Sequence, residues 1–133
     1  MASRHEVTGV VDAWAVLALL LGEPIVTAAR DLLGPGIVMS SINLGEVYYA
    51  IMRSHGLRVA DERTAAIRRA ITVEDPGWPL VTAAARIKAA GGLSFADAFC
   101  VATAERHGVP VYTGDPEILA LSLAVPLRDI RGG

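Results

Sequence analysis

The sequence holds one cysteine and one lysine, and only 5% of its 133 residues are aromatic. Each scarcity excludes something. With Cys100 alone, no internal disulfide can form and no cysteine-based metal site can be assembled, so the chain suits a reducing compartment. Flanked by Phe99 and Val101, that thiol reads as a buried structural group rather than a reactive one. With so few aromatic rings, Ala, Val, Leu and Ile must build the core. Positive charge is scarce too: the net charge is -2 and the pI about 5.9, which removes nucleic-acid binding driven by overall basicity and leaves a local site open. Long apolar runs are missing. Ala13 to Leu21 is too short to span a bilayer and follows Glu6 and Asp12 rather than a basic segment, so it reads neither as a membrane helix nor as a secretion signal. A cytoplasmic protein is expected.

What is present is a globular profile, 53% hydrophobic and 20% charged, in a chain of one-domain length, residues 1–133, with no internal repeat, linker or low-complexity segment. Short β-branched runs alternate with longer helical stretches. Strands are expected at Val7 to Val11, Ile37 to Met39, Ile71 to Val73, Val109 to Tyr112 and, as an edge, Val125 to Ile130. Helices are expected from Ala13 to Leu21, from Pro24 through Leu33, from Ser40 or Ser41 to about Arg53 with Gly56 closing, from Val59 to Ala70, from Pro79 to Ala90, over the run starting at Leu93, and briefly after Asp115-Pro116. This alternation implies βαβ units: an α/β fold with a mostly parallel sheet of about five short strands and helices on both faces.

Four carboxylates sit where such a fold concentrates chemistry. Ligands of open parallel sheets bind outside the carboxyl ends of the strands. Asp12 ends the first expected strand, and Asp115 follows the Val109 to Tyr112 strand by a Thr-Gly step. Glu46 and Asp97 each lie inside an otherwise apolar helical run, where an unpaired carboxylate is costly. Individually they have structural explanations: Asp12 and Asp115 as helix caps, Asp97 as the partner of Ser94 in a capping-box variant. Glu46, in mid-helix, has no capping role. Converging on one rim, the four would repel one another, and a hard divalent cation, Mg²⁺ or Mn²⁺, would relieve the repulsion. No histidine stands near them in a zinc-like spacing; His5, His55 and His107 lie at a terminus or at helix ends. Carboxylates around such an ion suit attack of water on a phosphodiester. Asn43 precedes Glu46, and Ser94 precedes Asp97, by one helical turn, so each polar residue shares a face with its acid.

Val11-Asp12-Ala13, Asn43-Leu44-Gly45-Glu46, Leu93-Ser94-Phe95-Ala96-Asp97-Ala98 and Thr113-Gly114-Asp115-Pro116-Glu117 together resemble, in order and spacing, the motifs of PIN-domain proteins of the VapC toxin family. The resemblance covers nearly the whole chain, and its specificity lies in the set of four motifs. It implies a single PIN-like domain and a Mg²⁺- or Mn²⁺-dependent endoribonuclease, the toxin of a type II toxin-antitoxin pair, inhibited by a VapB-like antitoxin and forming a homodimer. Carried over, Asp12, Glu46, Asp97 and Asp115 are the acidic catalytic and metal-binding set, with Asn43 and Thr113 supporting; Ser94, as the expected N-cap, helps hold Asp97 in place. One position departs from the pattern. Many relatives carry Ser or Asn two residues after the first Asp, where this chain has Trp14, whose ring offers either packing or a surface to a base or partner.

For RNA contact beyond the ion, Arg53, Arg68, Arg69 and Arg86 are the candidates, although an arginine-rich helix face also reads as simply solvated. Other classes fit less well. A phosphoacceptor receiver domain wants an adjacent acidic pair after its first strand, and a haloacid-dehalogenase-type phosphatase wants an Asp where Trp14 stands. The remaining rival is a non-catalytic partner-binding domain whose acids hold a structural ion or cap helices.

Overall fold

The computed structural model describes residues 6–22 and 32–131. Five strands, β1 Gly9–Val11, β2 Ile37–Ser40, β3 Thr72–Glu74, β4 Val111–Thr113 and β5 Leu127–Asp129, form one sheet in the order β3-β2-β1-β4-β5, every neighbouring pair parallel. Parallel neighbours need crossovers, and the described residues supply six helices for them: α1 Ala13–Leu20, α2 Ser41–His55, α3 Leu57–Ala70, α4 Trp78–Ala89, α5 Phe95–His107 and α6 Pro116–Leu119. The helix expected from Pro24 falls, for residues 24–31, outside the described residues. The fold is the α/β one that the alternation of strands and helices implies.

The central strands β1 and β2 are buried on both faces, whereas the edge strands β3 and β5 are partly exposed, and successive side chains split between the faces. Val11, Ile37 and Met39 pack with Ala15 and Val16 of α1, Leu44, Val47 and Ile51 of α2, and Ala60 and Ile67 of α3. Val10, Val38 and Val111 point the other way, onto Cys100 and Ala104 of α5. On its far side α5 meets α4 through Ala98, Phe99, Ala102, Leu80 and Ala84. Sandwiched in this way, α5 buries every residue from Ala98 to Ala104 and needs no polar stripe. Its cysteine is fully buried, and burial pushes the thiol pKa well up, consistent with a packing role.

Local chemistry sets the boundaries. Pro110 has no N–H, so it joins the ladder only through its carbonyl, which accepts from Val10 N at 2.9 Å. Strand β4 accordingly starts at Val111, later than expected, and carries Thr113 into the sheet. Ser40 caps α2 by accepting from Ile42 N at 3.2 Å. Gly56, at φ 91°, makes the sharp α2–α3 turn that a side chain would strain.

Strand β1 is the point where the order of connection reverses: the chain moves from β1 to β2 on one side and later returns to β4 on the other. At such a switch point the loops leaving the two strands part and open a crevice at their carboxyl ends. The residues leaving these ends are Asp12 and Gly114-Asp115.

Candidate active site

Asp12 leaves β1 and immediately caps α1, its Oδ1 accepting from Ala15 N at 2.8 Å. Its other oxygen, Oδ2, accepts a short hydrogen bond from the Thr113 hydroxyl on the neighbouring strand. Thr113 Oγ1 in turn accepts from Asp115 N at 3.0 Å. One hydroxyl thus joins the first acid to the backbone of the last across the switch point. Asp12 is only 2% exposed, and burial pushes its pKa up to about 7, against the lowering effect of the Thr113 and Ala15 bonds; the charges of Asp97 and Asp115 raise it further.

Asp97 is the third residue of α5, whose start is held by Ser94 Oγ accepting from Asp97 N at 3.1 Å. Ser94 and Asp97 therefore do occupy capping positions, and capping leaves the Asp97 carboxyl half-buried among other acids. Burial raises its pKa, the Ser94 hydroxyl lowers it, and Asp115 and Glu117 raise it again. Glu46, on α2, reaches solvent, yet partial burial of its carboxyl raises its pKa, offset by Asn43 and reinforced by Asp97. Asp115 caps α6, accepting from Glu117 N at 2.9 Å. Asp97 is the common neighbour: it feels Asp115 and Glu117, and it is felt by Asp12 and Glu46.

Asn43 lies one turn before Glu46 and is fully buried. Its Nδ2 donates to Glu46 Oε1 at 3.3 Å and to the Ala96 carbonyl, in the first turn of α5, at 2.9 Å. Its Oδ1 is buried without a partner. An unmet buried acceptor costs about 1–3 kcal/mol.

The structure thus brings Asp12, Glu46, Asp97 and Asp115 to one rim, with Asn43, Ser94 and Thr113 beneath or beside them. Glu117 joins them through its charge on Asp97. Its signal in the sequence was its place two residues after Asp115, the reach of a short helical cap. Among the described residues no three His, Cys, Asp or Glu side chains stand close enough, as placed here, to close around a metal. The chemistry of the rim still fits a hard divalent ion: the donors are carboxylate oxygens, and their mutual repulsion is what such an ion relieves. His107 is engaged elsewhere, its Nε2 against both Glu74 oxygens at 3.0 and 2.9 Å, and His55 Nδ1 is 2.7 Å from Ser54 Oγ.

The four arginines do not share a single surface. Arg53 lies over the Tyr49 ring and donates to its hydroxyl. Arg68 lines a groove of about 490 Å³ between α2 and α3 that includes Ser41, Gly45, Tyr48 and Asp75 and none of the four rim acids. Arg69 lines a different groove, with Gly36 and Thr72, and Arg86 is exposed on α4. Trp14 packs against the core under α1 and lies over Gly114, where an added Cβ would overlap its ring. The ring takes the packing role and sits against the loop that carries Asp115.

The PIN domain family matches residues 9–122, and the chain belongs to that family. Its structural neighbours include VapC toxins and VapBC toxin-antitoxin assemblies. It is similar to VapC20 of Mycobacterium tuberculosis, described as a sarcin-ricin loop cleaving toxin, at 25% identity over 85% of this chain and 95% of that one, with a TM-score of 0.69. The fold is also that of DNA-bound VapBC from Salmonella typhimurium, at 16% identity, 92% and 98% coverage and a TM-score of 0.74. PAE2754 from Pyrobaculum aerophilum shares it at 22% identity, 91% and 89% coverage and a TM-score of 0.69. A comparison with curated protein sequences returns no match.

Proposed function

We propose that this chain is a VapC-type toxin, a Mg²⁺- or Mn²⁺-dependent endoribonuclease that hydrolyses RNA phosphodiester bonds and is neutralised by a VapB-like antitoxin. The observation that carries the reading is the rim itself: acids from four separate elements meet at the switch point, and Asp12, buried among them, is pushed up to about 7. Raised pKa values clustered in a crevice, without an arginine or lysine to balance them, mark a functional site more often than a structural one. The likeness to a toxin described as cleaving the sarcin-ricin loop supports RNA as the substrate class, and the likeness to VapBC assemblies supports an antitoxin partner.

Asp12, Glu46, Asp97 and Asp115 would hold the ion, with Glu117 adding negative charge beside Asp97. When bound, a divalent ion lowers the pKa of an attacking water and stabilises the oxygen that leaves phosphorus. The chain's own residues prepare the site. Thr113 fixes one oxygen of Asp12, Ala15 N fixes the other, and the Ser94 cap sets the turn from which Asp97 projects. Arg53, Arg68, Arg69 and Arg86, away from the rim, would meet the phosphates of flanking nucleotides. We assign the protein to the cytoplasm and to a homodimer on the family resemblance. No helix among the described residues is long and apolar enough to cross a membrane.

The test is RNA cleavage by purified protein with Mg²⁺ or Mn²⁺. Asp97→Asn and Glu46→Gln should each lower the cleavage rate on the order of 100- to 1,000-fold while the circular dichroism spectrum stays that of the wild type. Cleavage at the wild-type rate by both variants would overturn the assignment and leave a non-catalytic partner-binding domain.

A further inference from the structure

The buried amide of Asn43 is expensive in a way that packing does not explain. Its orientation is compelled: turned the other way, Oδ1 would face the Glu46 carboxylate and the Ala96 carbonyl, two acceptors, so Nδ2 must point at both. The result is an amide whose two hydrogens are spent and whose oxygen is orphaned in the interior. A leucine of similar size would fill the same space without the unmet acceptor. What the amide provides instead is a connection. Glu46 and Ala96 belong to helices far apart in sequence, and Ala96 immediately precedes Asp97, the acid whose charge both Asp12 and Glu46 feel.

We propose that Asn43 is a positioning residue that clamps the Glu46 carboxylate to the first turn of α5 and so sets the separation of Glu46 from Asp97 for a divalent ion. This inference rests on the metal-site reading above. A long glutamate on a solvent-facing helix surface otherwise samples several rotamers, and a ligand that must be ordered on binding contributes less affinity than one already held. The clamp is directional, because Nδ2 reaches only one Glu46 oxygen, Oε1, and the second oxygen stays free.

The experiment titrates Mn²⁺ into the full-length protein by calorimetry, with thermal unfolding followed in parallel. Wild type, Asn43→Leu, Asn43→Ala, Glu46→Gln and the Asn43→Leu/Glu46→Gln pair are compared. Asn43→Leu is expected to keep or raise the unfolding temperature and yet weaken Mn²⁺ binding on the order of 10- to 100-fold. In the Glu46→Gln background the same change should have little further effect, because the carboxylate it positions is gone; a generally disturbed fold would make the two losses add. Asn43→Ala, which removes both bonds without adding bulk, should weaken binding likewise and covers the case in which leucine does not fit. Wild-type affinity in the folded Asn43 variants, with Glu46→Gln weakened, would overturn the clamp alone. Strictly additive losses would also overturn it. Absence of Mn²⁺ binding by the wild type would overturn the metal-site reading and the clamp with it.

Discussion

Two carboxylates stand at strand ends of one sheet, one at its centre and one at its edge, and their pKa values are shifted in opposite directions. Asp129 closes β5, and Arg131 two residues on grips both its oxygens, with Nη2 2.8 Å and Nε 3.0 and 3.2 Å away; the Arg131 bonds hold its pKa below the usual carboxylate range. Asp12 follows β1, is almost wholly buried, has only neutral donors, and is pushed up to about 7. The difference is the counter-charge. Where an arginine is built in, the acid is finished; where hydroxyls, backbone N–H groups and other acids surround it, the site is left short of one cation. The rim is therefore chemically incomplete in a way that the β5 end is not.

The largest effect that sharpens this contrast is catalytic. Asp12→Asn should lower metal-dependent RNA cleavage on the order of 100- to 1,000-fold, whereas Asp129→Asn should leave the rate at wild type in the same assay. Equal losses would erase the distinction between the two strand ends.

The second effect is on stability against pH in the metal-free protein. The Asp12 pKa is higher folded than unfolded, so between about 4 and 7 the folded state binds the extra proton. Stability should fall as pH rises through that window, by about 2–4 kcal/mol, and level off above it. Denaturant unfolding in the presence of a chelator measures this, and Asp12→Asn should flatten the curve. The exposed Asp129–Arg131 pair acts in the opposite sense, its stabilising contribution fading only in acid, and salt screens it.

Third, Mn²⁺ at about 100 times its dissociation constant should raise the unfolding temperature at pH 8 by about 10 °C, and should do so far less for Asp12→Asn. Last comes the loop geometry beneath the contrast. Gly114→Ala forces a Cβ into the Trp14 ring and should cost about 1–3 kcal/mol, with Trp14→Leu in the same chain recovering much of it. Additive losses in that pair would show that ring and loop are not in contact.

Much of this was legible before any coordinates. The alternation of β-branched runs with helical stretches sets the α/β class, and the Ser40, Ser94, Asp12 and Asp115 caps mark helix starts within a residue, since capping is decided by side chains next to the backbone they satisfy. The set of four motifs carried the family. Less legible was anything that depends on two distant segments meeting. The strand shift that takes Thr113 into the ladder, and so to Asp12, comes from where Pro110 falls against β1. Trp14 stood open between packing and contact until Gly114 came to lie under its ring. Glu117 carried no distinct signal beyond its spacing, because its charge matters only once α6 faces α5.

By itself the sequence determined which residues carry charge, which stretches fold locally and which acids stand at helix starts, because those properties act over one or two turns of chain. Tertiary structure alone decided that the acids come within reach of one another's charge, that Thr113 serves both Asp12 and Asp115, and that Asn43 joins Glu46 to the first turn of α5, which carries Asp97. Burial and through-space repulsion depend on separations in space, and the order β3-β2-β1-β4-β5 is what brings these distant residues together.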